Sequence, residues 1–511
     1  MDPAESRGYY RGLPSRPKLI ARTDQLSRPW HVPAHEHDWH DKELDTISAS
    51  HPIVGKWNDE GSHSLRQQVL DVLERNMIDW TAVDILQLRD RGECHVECHV
   101  VLFVSVSASS TSGELGRTIA NEVKLVLCYH KLDDVECEVK ESSRVPLSPT
   151  VPERNVIRLD CNFSMQYLRK EFSDCLNVSI ASLDKPWRQG TRCLYLRDVQ
   201  TREVFALTCR HVIVDSETAG EILPGKEPTL PLAMTAISAI QPAEDTFKEV
   251  LQVRQSLETA ALRQVEKWES RTNTMDEDRR LERLGESQAL LRDAQSLLPH
   301  LQHGQDLDNR RFGKLALVRD LGIRAHGELS DWCLIRLDPD CFERPISQLR
   351  NRVYVGGVAL LPDLCDLPPR KDADGTVELE GVMSVDEMST RSLTNVVKSG
   401  AGYGYSAGRV NPVVSVTRAA TGNGPFFVAL EWPMVAQAMG KPFSIRGDSG
   451  SCVWGGCGQI VGMITGGLER ADMLASGIDF GVECAADVTY MTPMEWLMDD
   501  FEACGLEMEI V

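Results

Sequence analysis

Beyond Pro152 the chain breaks into short runs of alternating apolar and polar residues punctuated by Gly, Pro and Asp, and the pattern persists from about residue 155 to about residue 500. A period of two sends successive side chains to opposite faces, so this stretch is expected to form many short strands that each bury a face. One interruption is long. From Glu244 to Leu298 the period becomes helical: Val250, Val253, Leu257, Ala261, Val265 and Trp268 make one stripe, and Leu281, Leu284, Leu291, Ala294 and Leu298 make another. Two stripes flanking a turn near Asn273 predict an antiparallel helical hairpin, residues 244–300, inserted in a β body. Packing on each other and on that body accounts for both stripes, and a protein partner is their second possible use.

Upstream the pattern differs. From Ser64 an amphipathic stretch (Leu65, Val69, Val72, Leu73, Met77) leads to an apolar strand, His99 to Val106, a helix near Glu114 to Leu132, and a strand, Val135 to Val139. Residues 61–145 therefore read as a small α/β domain. Residues 1–60, rich in Pro, His, Asp and Arg without periodicity, read as an irregular N-terminal arm, and Val145 to Pro152 as a linker. With 511 residues the chain exceeds what one core can serve. The layout expected is 1–60, 61–145 and 155–505.

Hydrophobic content of 42% and charged content of 26% are ordinary for a folded protein. A net charge of -21 excludes phosphate-backbone binding as the main activity, so no nucleic-acid partner is expected. No stretch resembles a signal peptide and nowhere do eighteen apolar residues run together, so no membrane is expected either. The 15 cysteines are odd in number and irregularly spaced, which fits reduced thiols and hence the cytoplasm or nucleus.

The chemistry concentrates at Gly447-Asp448-Ser449-Gly450-Ser451. A serine between glycines is presented by a tight loop whose backbone angles a side chain would obstruct, and the amides of Gly447 and Ser449 are candidates for an oxyanion hole. A serine hydroxyl needs a base at neutral pH; the candidate is His211, in Thr208-Cys209-Arg210-His211. A carboxylate must orient that imidazole. Asp331, opening the apolar run Trp332-Cys333-Leu334-Ile335-Arg336-Leu337, is the candidate, with Asp338 and Asp320 in reserve.

These three motifs, in the order His, Asp, Ser, resemble those of the chymotrypsin-like (trypsin-fold) serine peptidases, and Tyr490-Met491-Thr492-Pro493 before a helix from Met494 to Cys504 resembles that family's C-terminal end. In layout, and in phrases such as Asn395 to Arg409, the chain also resembles intracellular trypsin-like proteins of filamentous fungi with an α/β N-terminal domain. The resemblance implies a mainly β double-barrel peptidase domain carrying the hairpin, α+β overall. It implies an intracellular serine endopeptidase acting on protein or peptide substrates through His211, Asp331, Ser449 and an acyl-enzyme, with no metal or cofactor. It also places Phe443 at the base of the specificity pocket, and Thr465, Gly466 and Gly467 on the strand that pairs with substrate. Phe443 stands where trypsin has an aspartate, so cleavage after Arg or Lys is not expected. Val212 stands where secreted members have a bridging cysteine. Those members are activated when a new Ile-Val-Gly terminus pairs with the acid before the serine; Ile53-Val54-Gly55 looks similar but lies too far upstream. The alternative is a catalytically silent protein of the same fold that binds a partner through the hairpin or the N-terminal domain.

Other motifs carry less. Gly404-Tyr405-Ser406-Ala407-Gly408 matches an α/β-hydrolase elbow, whose histidine follows its serine, yet the last histidine here is His326. Cys94-His95-Val96-Glu97-Cys98-His99 alternates across a strand and so cannot converge on zinc. His31, His35, His37 and His40 lie in the arm.

Overall fold

The computed structural model describes residues 2–32, 41–91, 96–148, 165–214, 236–271, 277–356, 372, 374–391, 394–419, 426–438, 440–471 and 485–511. They are mostly β, with several helices, as the alternation predicts.

An antiparallel eight-stranded sheet runs in the order Met508–Ile510, Leu194–Asp198, Val204–Thr208, Cys333–Leu337, Arg311–Val318, Ser238–Ile240, Ser179–Ser182, Lys185–Thr191. The last strand continues through Arg192 and Cys193 into Leu194–Asp198, so the order returns on itself around a core that includes Leu194, Leu207, Leu334 and Trp332. A second set forms a ring of antiparallel pairs: Thr394–Gly400, Gly404–Val410, Phe427–Ala436, Val488–Pro493, Ile460–Arg470, Cys452–Gly455 and back to Thr394–Gly400. A closed ring leaves few exposed edges for unwanted pairing.

The α/β part is present. Val96–Val106 and Val135–Val145 are parallel neighbours joined by the helix Gly113–Tyr129, the crossover that parallel pairing requires. That helix buries Ile119, Ala120, Val123 and Leu127 and is capped by the Ser112 side chain, which accepts from the Leu115 amide. The helix Leu65–Arg75 buries Val69, Val72 and Leu73 in the same way beneath a Ser64 cap.

The arm differs from its expectation. Residues 1–60 contribute a helix (Pro3–Gly8), strands Lys18–Arg22 and Asp41–Asp45 paired to the same sheet, and a helix (Pro52–Asn58) that contains Ile53, Val54 and Gly55. Composition pointed to irregularity, but Tyr9, Tyr10, Leu13 and Leu19 cover the sheet face opposite the helices. Both tyrosine hydroxyls donate to the buried Glu138 carboxylate, at 2.6 and 2.5 Å. His35, His37 and His40 lie outside the described residues.

The expected linker is not a spacer. The strand Val135–Val145 runs through Val145, pairs Ser142–Val145 with Gly467–Arg470 of the ring, and delivers Leu147 and Ser148 to a buried position. Ala82 and Val83 likewise pair with Thr417 and Val416. The N-terminal sheet is thus hydrogen-bonded to the ring directly at Ser142–Val145, and at Ala82–Val83 to the strand Ser415–Ala419, which itself pairs with the ring strand Phe427–Ala436.

The hairpin comprises Glu244–Ser270 and Glu277–Ser296; the turn near Asn273 lies outside the described residues. Its root is buried, with Phe247, Val250, Val253, Ala294 and Leu297 packed on Met165 and Leu168. Farther out Leu281, expected in the packed stripe, is half exposed, because among the described residues the second helix packs there on the first helix alone.

Burial pushes the Glu138 carboxyl up from 4.5 to about 7, outweighing the two tyrosine hydrogen bonds that favour the anion. A carboxyl raised in the folded state contributes fully below its unfolded value and loses that contribution as pH rises from about 4.5 to about 7. Thermal melts should therefore show Glu138→Gln gaining on the wild type across that window, with no further change above it. A constant difference across the window would refute the assignment.

Candidate active site

Val204–Thr208 pairs with Cys333–Leu337 in a register that sets Thr208 opposite Cys333. This brings the short helix Arg210–Ile213, which carries His211, against Asp331. Asp331 is itself fixed by its neighbours: the Ser330 hydroxyl and the Trp332 ring N–H both donate to Asp500 of the helix Met494–Ala503, at 2.8 and 2.7 Å. The His211 amide donates to Asp331 Oδ1 at 3.1 Å, its Nδ1 meets Asp331 Oδ2 at 2.5 Å, and its Nε2 lies 2.8 Å from Ser449 Oγ. A carboxylate can only accept, so Nδ1 carries the proton and Nε2 is left to accept from the serine hydroxyl. Burial alone would raise the Asp331 carboxyl; the charge and hydrogen bonds of His211 outweigh it and hold the group below the usual carboxylate value. The reserve acids lie elsewhere: Asp338 caps the turn at Pro339–Cys341, and Asp320 pairs with Arg324 at 2.8 Å.

The serine loop needs its glycines. Gly447 and Gly450 have φ of +98° and +85°, and a Cβ on Gly450 would collide with Thr191 O and Thr208 Oγ1. The loop is held from within by Asp448. Its Oδ2 accepts from Lys398 Nζ at 2.6 Å and from the Ile445 amide at 3.0 Å, while Oδ1 accepts from the amides of Gly402 and Tyr403 at 2.8 and 3.1 Å. Both charged side chains are 0% exposed. Lys398 has no local sequence signal: it sits mid-strand fifty residues before its partner, and only the ring closure sets it inside.

The two loop amides are engaged. Gly447 N and Ser449 N both donate to the carbonyl oxygen of Leu147, at 2.7 and 3.2 Å. Upstream, Val145 pairs antiparallel with Gly467, and a Cβ on Gly466 would meet Val145 O at 2.8 Å. Leu147 is fully buried in the same apolar cluster as Phe443 and Ala486, and its Cδ2 lies 3.3 Å from where a Gly467 Cβ would stand. Downstream, Ser148 Oγ donates to Gln189 O at 3.0 Å, and the Gln189 side-chain oxygen accepts from Thr246 at the hairpin root at 2.8 Å. Gly466 and Gly467 thus lie against the chain's own segment, and Phe443 belongs to the same apolar cluster. Thr465 lies beneath, donating to Glu431 at 3.1 Å. Ser406 is structural, its hydroxyl donating to Phe443 O at 2.6 Å. Nothing in the sequence marked Val145 to Ser148 as part of this site.

Of the cysteine-histidine run in the N-terminal sheet, Cys94 and His95 lie outside the described residues. His99 faces Asp24 at 3.8 Å near Glu138, in a set whose ligand atoms lie within 4.8 Å of one another. Arg22 already pairs with Asp24 at 2.8 Å, and the two tyrosines occupy the Glu138 oxygens, so hydrogen bonds and a cation balance these acids. The described cysteines include buried free thiols at Cys193, Cys209, Cys333 and Cys452. No described helix is long and apolar enough to cross a membrane.

No family model matches the chain, and no curated protein does. Among solved structures the chain is similar to the crystal structure of Cellulomonas bogoriensis chymotrypsin, at 15% identity and a TM-score of 0.23, covering 40% of this chain and 77% of that one. A likeness of that strength carries no argument about chemistry.

Proposed function

We propose that this protein is a serine endopeptidase with a two-barrel trypsin-like body. The observation that carries the reading is the unbroken hydrogen-bond chain Asp331–His211–Ser449, ending beneath two amides that converge on a carbonyl oxygen. Ser449 Oγ attacks a peptide carbonyl carbon as His211 Nε2 takes its proton. Asp331 stabilises the imidazolium, and the amides of Gly447 and Ser449 stabilise the oxyanion. His211 then protonates the leaving amine, and water resolves the acyl-enzyme by the same relay in reverse. Phe443 and the glycine strand Gly466-Gly467 favour an aliphatic side chain before the cut bond. The free thiols suit a reducing compartment.

A second reading, a silent body that only binds a partner, draws on the site being covered by Leu147. A fluorophosphonate probe separates the two. In Leu147→Glu a carboxylate would have to enter an apolar pocket, at a cost that expels the segment. That variant should label at Ser449 at least about tenfold faster than the wild type, the equivalent of roughly 1.4 kcal/mol, and Ser449→Ala should not label. Absence of labelling in Leu147→Glu would sink the peptidase reading.

In the Leu147→Glu background, Asp331→Asn should cut turnover of an added peptide by about 10⁴-fold, because the imidazole loses the carboxylate that fixes its tautomer. A loss below about tenfold would remove Asp331 from the mechanism.

Lys398→Met strands Asp448 as a buried lone charge. Denaturant melts should show a loss of about 3–5 kcal/mol, and probe labelling should fall with it as the loop amides lose their direction. Full labelling at undiminished stability would show that the loop stands without the pair.

A further inference from the structure

We propose that the Leu147–Ser148 peptide bond is a substrate of this chain's own active site, so that the protein cleaves itself there. The inference rests on the peptidase reading and names its first substrate. A segment that merely blocked a site would need only bulk. This one meets the separate demands of a bound substrate on both sides of one bond. Val145 is paired antiparallel with Gly467, and Arg144 with Leu468, so the residues before the bond lie extended along the glycine strand. Pro146 restricts Val145 to that extended form. The Leu147 side chain is fully buried against Gly467, and its carbonyl oxygen takes both loop amides. After the bond, Ser148 Oγ is anchored on Gln189 O at 3.0 Å, while the neighbouring Thr191 amide donates to Ser449 O at 2.8 Å and fixes that wall to the serine loop. Leu147 is thus the residue whose carbonyl carbon stands in the position that Ser449 attacks.

The segment is also presented rigidly. Its strand is paired with Val96–Val106 and with Lys18–Arg22, and the Arg144 guanidinium bonds Glu431 at 3.0 Å. Tethering the reacting bond in place converts an encounter between molecules into an internal step, worth effective concentrations of about 10⁵–10⁸ M in well-oriented cases. The step balances with water alone. Ser449 Oγ bonds to the Leu147 carbonyl carbon as its proton passes to His211 Nε2. The carbon–nitrogen bond to Ser148 breaks, and His211 delivers the proton to the departing amine. Water then adds to the Leu147–Ser449 ester, giving its proton to His211, which returns it to Ser449 Oγ. The products are a Leu147 carboxylate and a Ser148 amino terminus. Pairing of Ala82–Val83 with Val416–Thr417 and of Ser142–Val145 with the ring lies on either side of the cut in sequence, so the two fragments stay assembled after it.

The test is mass spectrometry and native gel filtration of the purified full chain, incubated overnight at neutral pH, beside Ser449→Ala, Leu147→Glu and Leu147→Met. The expected result is a new amino terminus at Ser148 in the wild type and in Leu147→Met, with first-order kinetics independent of protein concentration. Fragments 1–147 and 148–511 should elute together. Ser449→Ala and Leu147→Glu should stay whole. A wild type that stays whole while Leu147→Glu labels with the fluorophosphonate overturns self-cleavage and leaves the peptidase standing, with Leu147 as an inhibitor. Failure of that labelling instead removes the peptidase reading itself. A cut at another bond, or a cut at Leu147–Ser148 in Ser449→Ala, also overturns the proposal.

Discussion

Everything at this site depends on a charge pair sealed from solvent. Lys398 and Asp448 meet at 2.6 Å with neither side chain exposed, and two buried ions are tolerable only where attraction and hydrogen bonds replace lost hydration. Here three backbone amides complete the replacement at Asp448. The arrangement pulls the loop tight, so that Gly447 adopts the left-handed backbone only glycine adopts cheaply and its N–H points the same way as that of Ser449. Lys398 stands on the ring strand Thr394–Gly400, so the positive charge that faces Asp448 belongs to the fold itself.

The remaining geometry is a matter of where two sheets meet. His211 and Asp331 belong to the eight-stranded sheet and Ser449 to the ring, and the His211–Ser449 bond joins them. Glu431 joins the ring to the N-terminal sheet in a similar way: its carboxylate accepts from Arg144 of the covering strand at 3.0 Å, from Thr417 at 2.9 Å and, on the other oxygen, from Thr465 at 3.1 Å. Thr465 precedes the two glycines that lie against Val145 and Leu147. The strand that carries Arg144 is therefore coupled to the strand that carries Thr465, through one buried acid that accepts from both.

The readable parts of the sequence were those whose cause is local. Ser449 announced itself because a strained loop demands glycine on both sides, and His211 and Asp331 because each abuts an apolar strand in a recognisable phrase. The hairpin was legible through its 3.6-residue stripe, although the stripe said nothing of where the packed root ends and the solvated tip begins. The misreadings share a cause as well. Residues 1–60 lack periodicity because much of their burial comes from single tyrosines and leucines placed on a sheet built by other segments. Val145 to Pro152 carried the prolines of a linker, and one of those prolines keeps a strand straight on its way into a cleft.

By itself, then, the sequence determined most of the elements beyond residue 60 and picked out the three side chains that the fold links by hydrogen bonds, since helix stripes, strand alternation and loop glycines are set by neighbours a few residues away. Tertiary structure alone decided that Lys398 faces inward to Asp448, that the N-terminal sheet joins the ring, and that Leu147 lies with its carbonyl against the amides of Gly447 and Ser449. Those are contacts between residues as far apart in sequence as Ser142 and Arg470. No local pattern encodes such pairings; they arise only when closing the sheets brings distant strands to one place and buried charges and amides must find partners there.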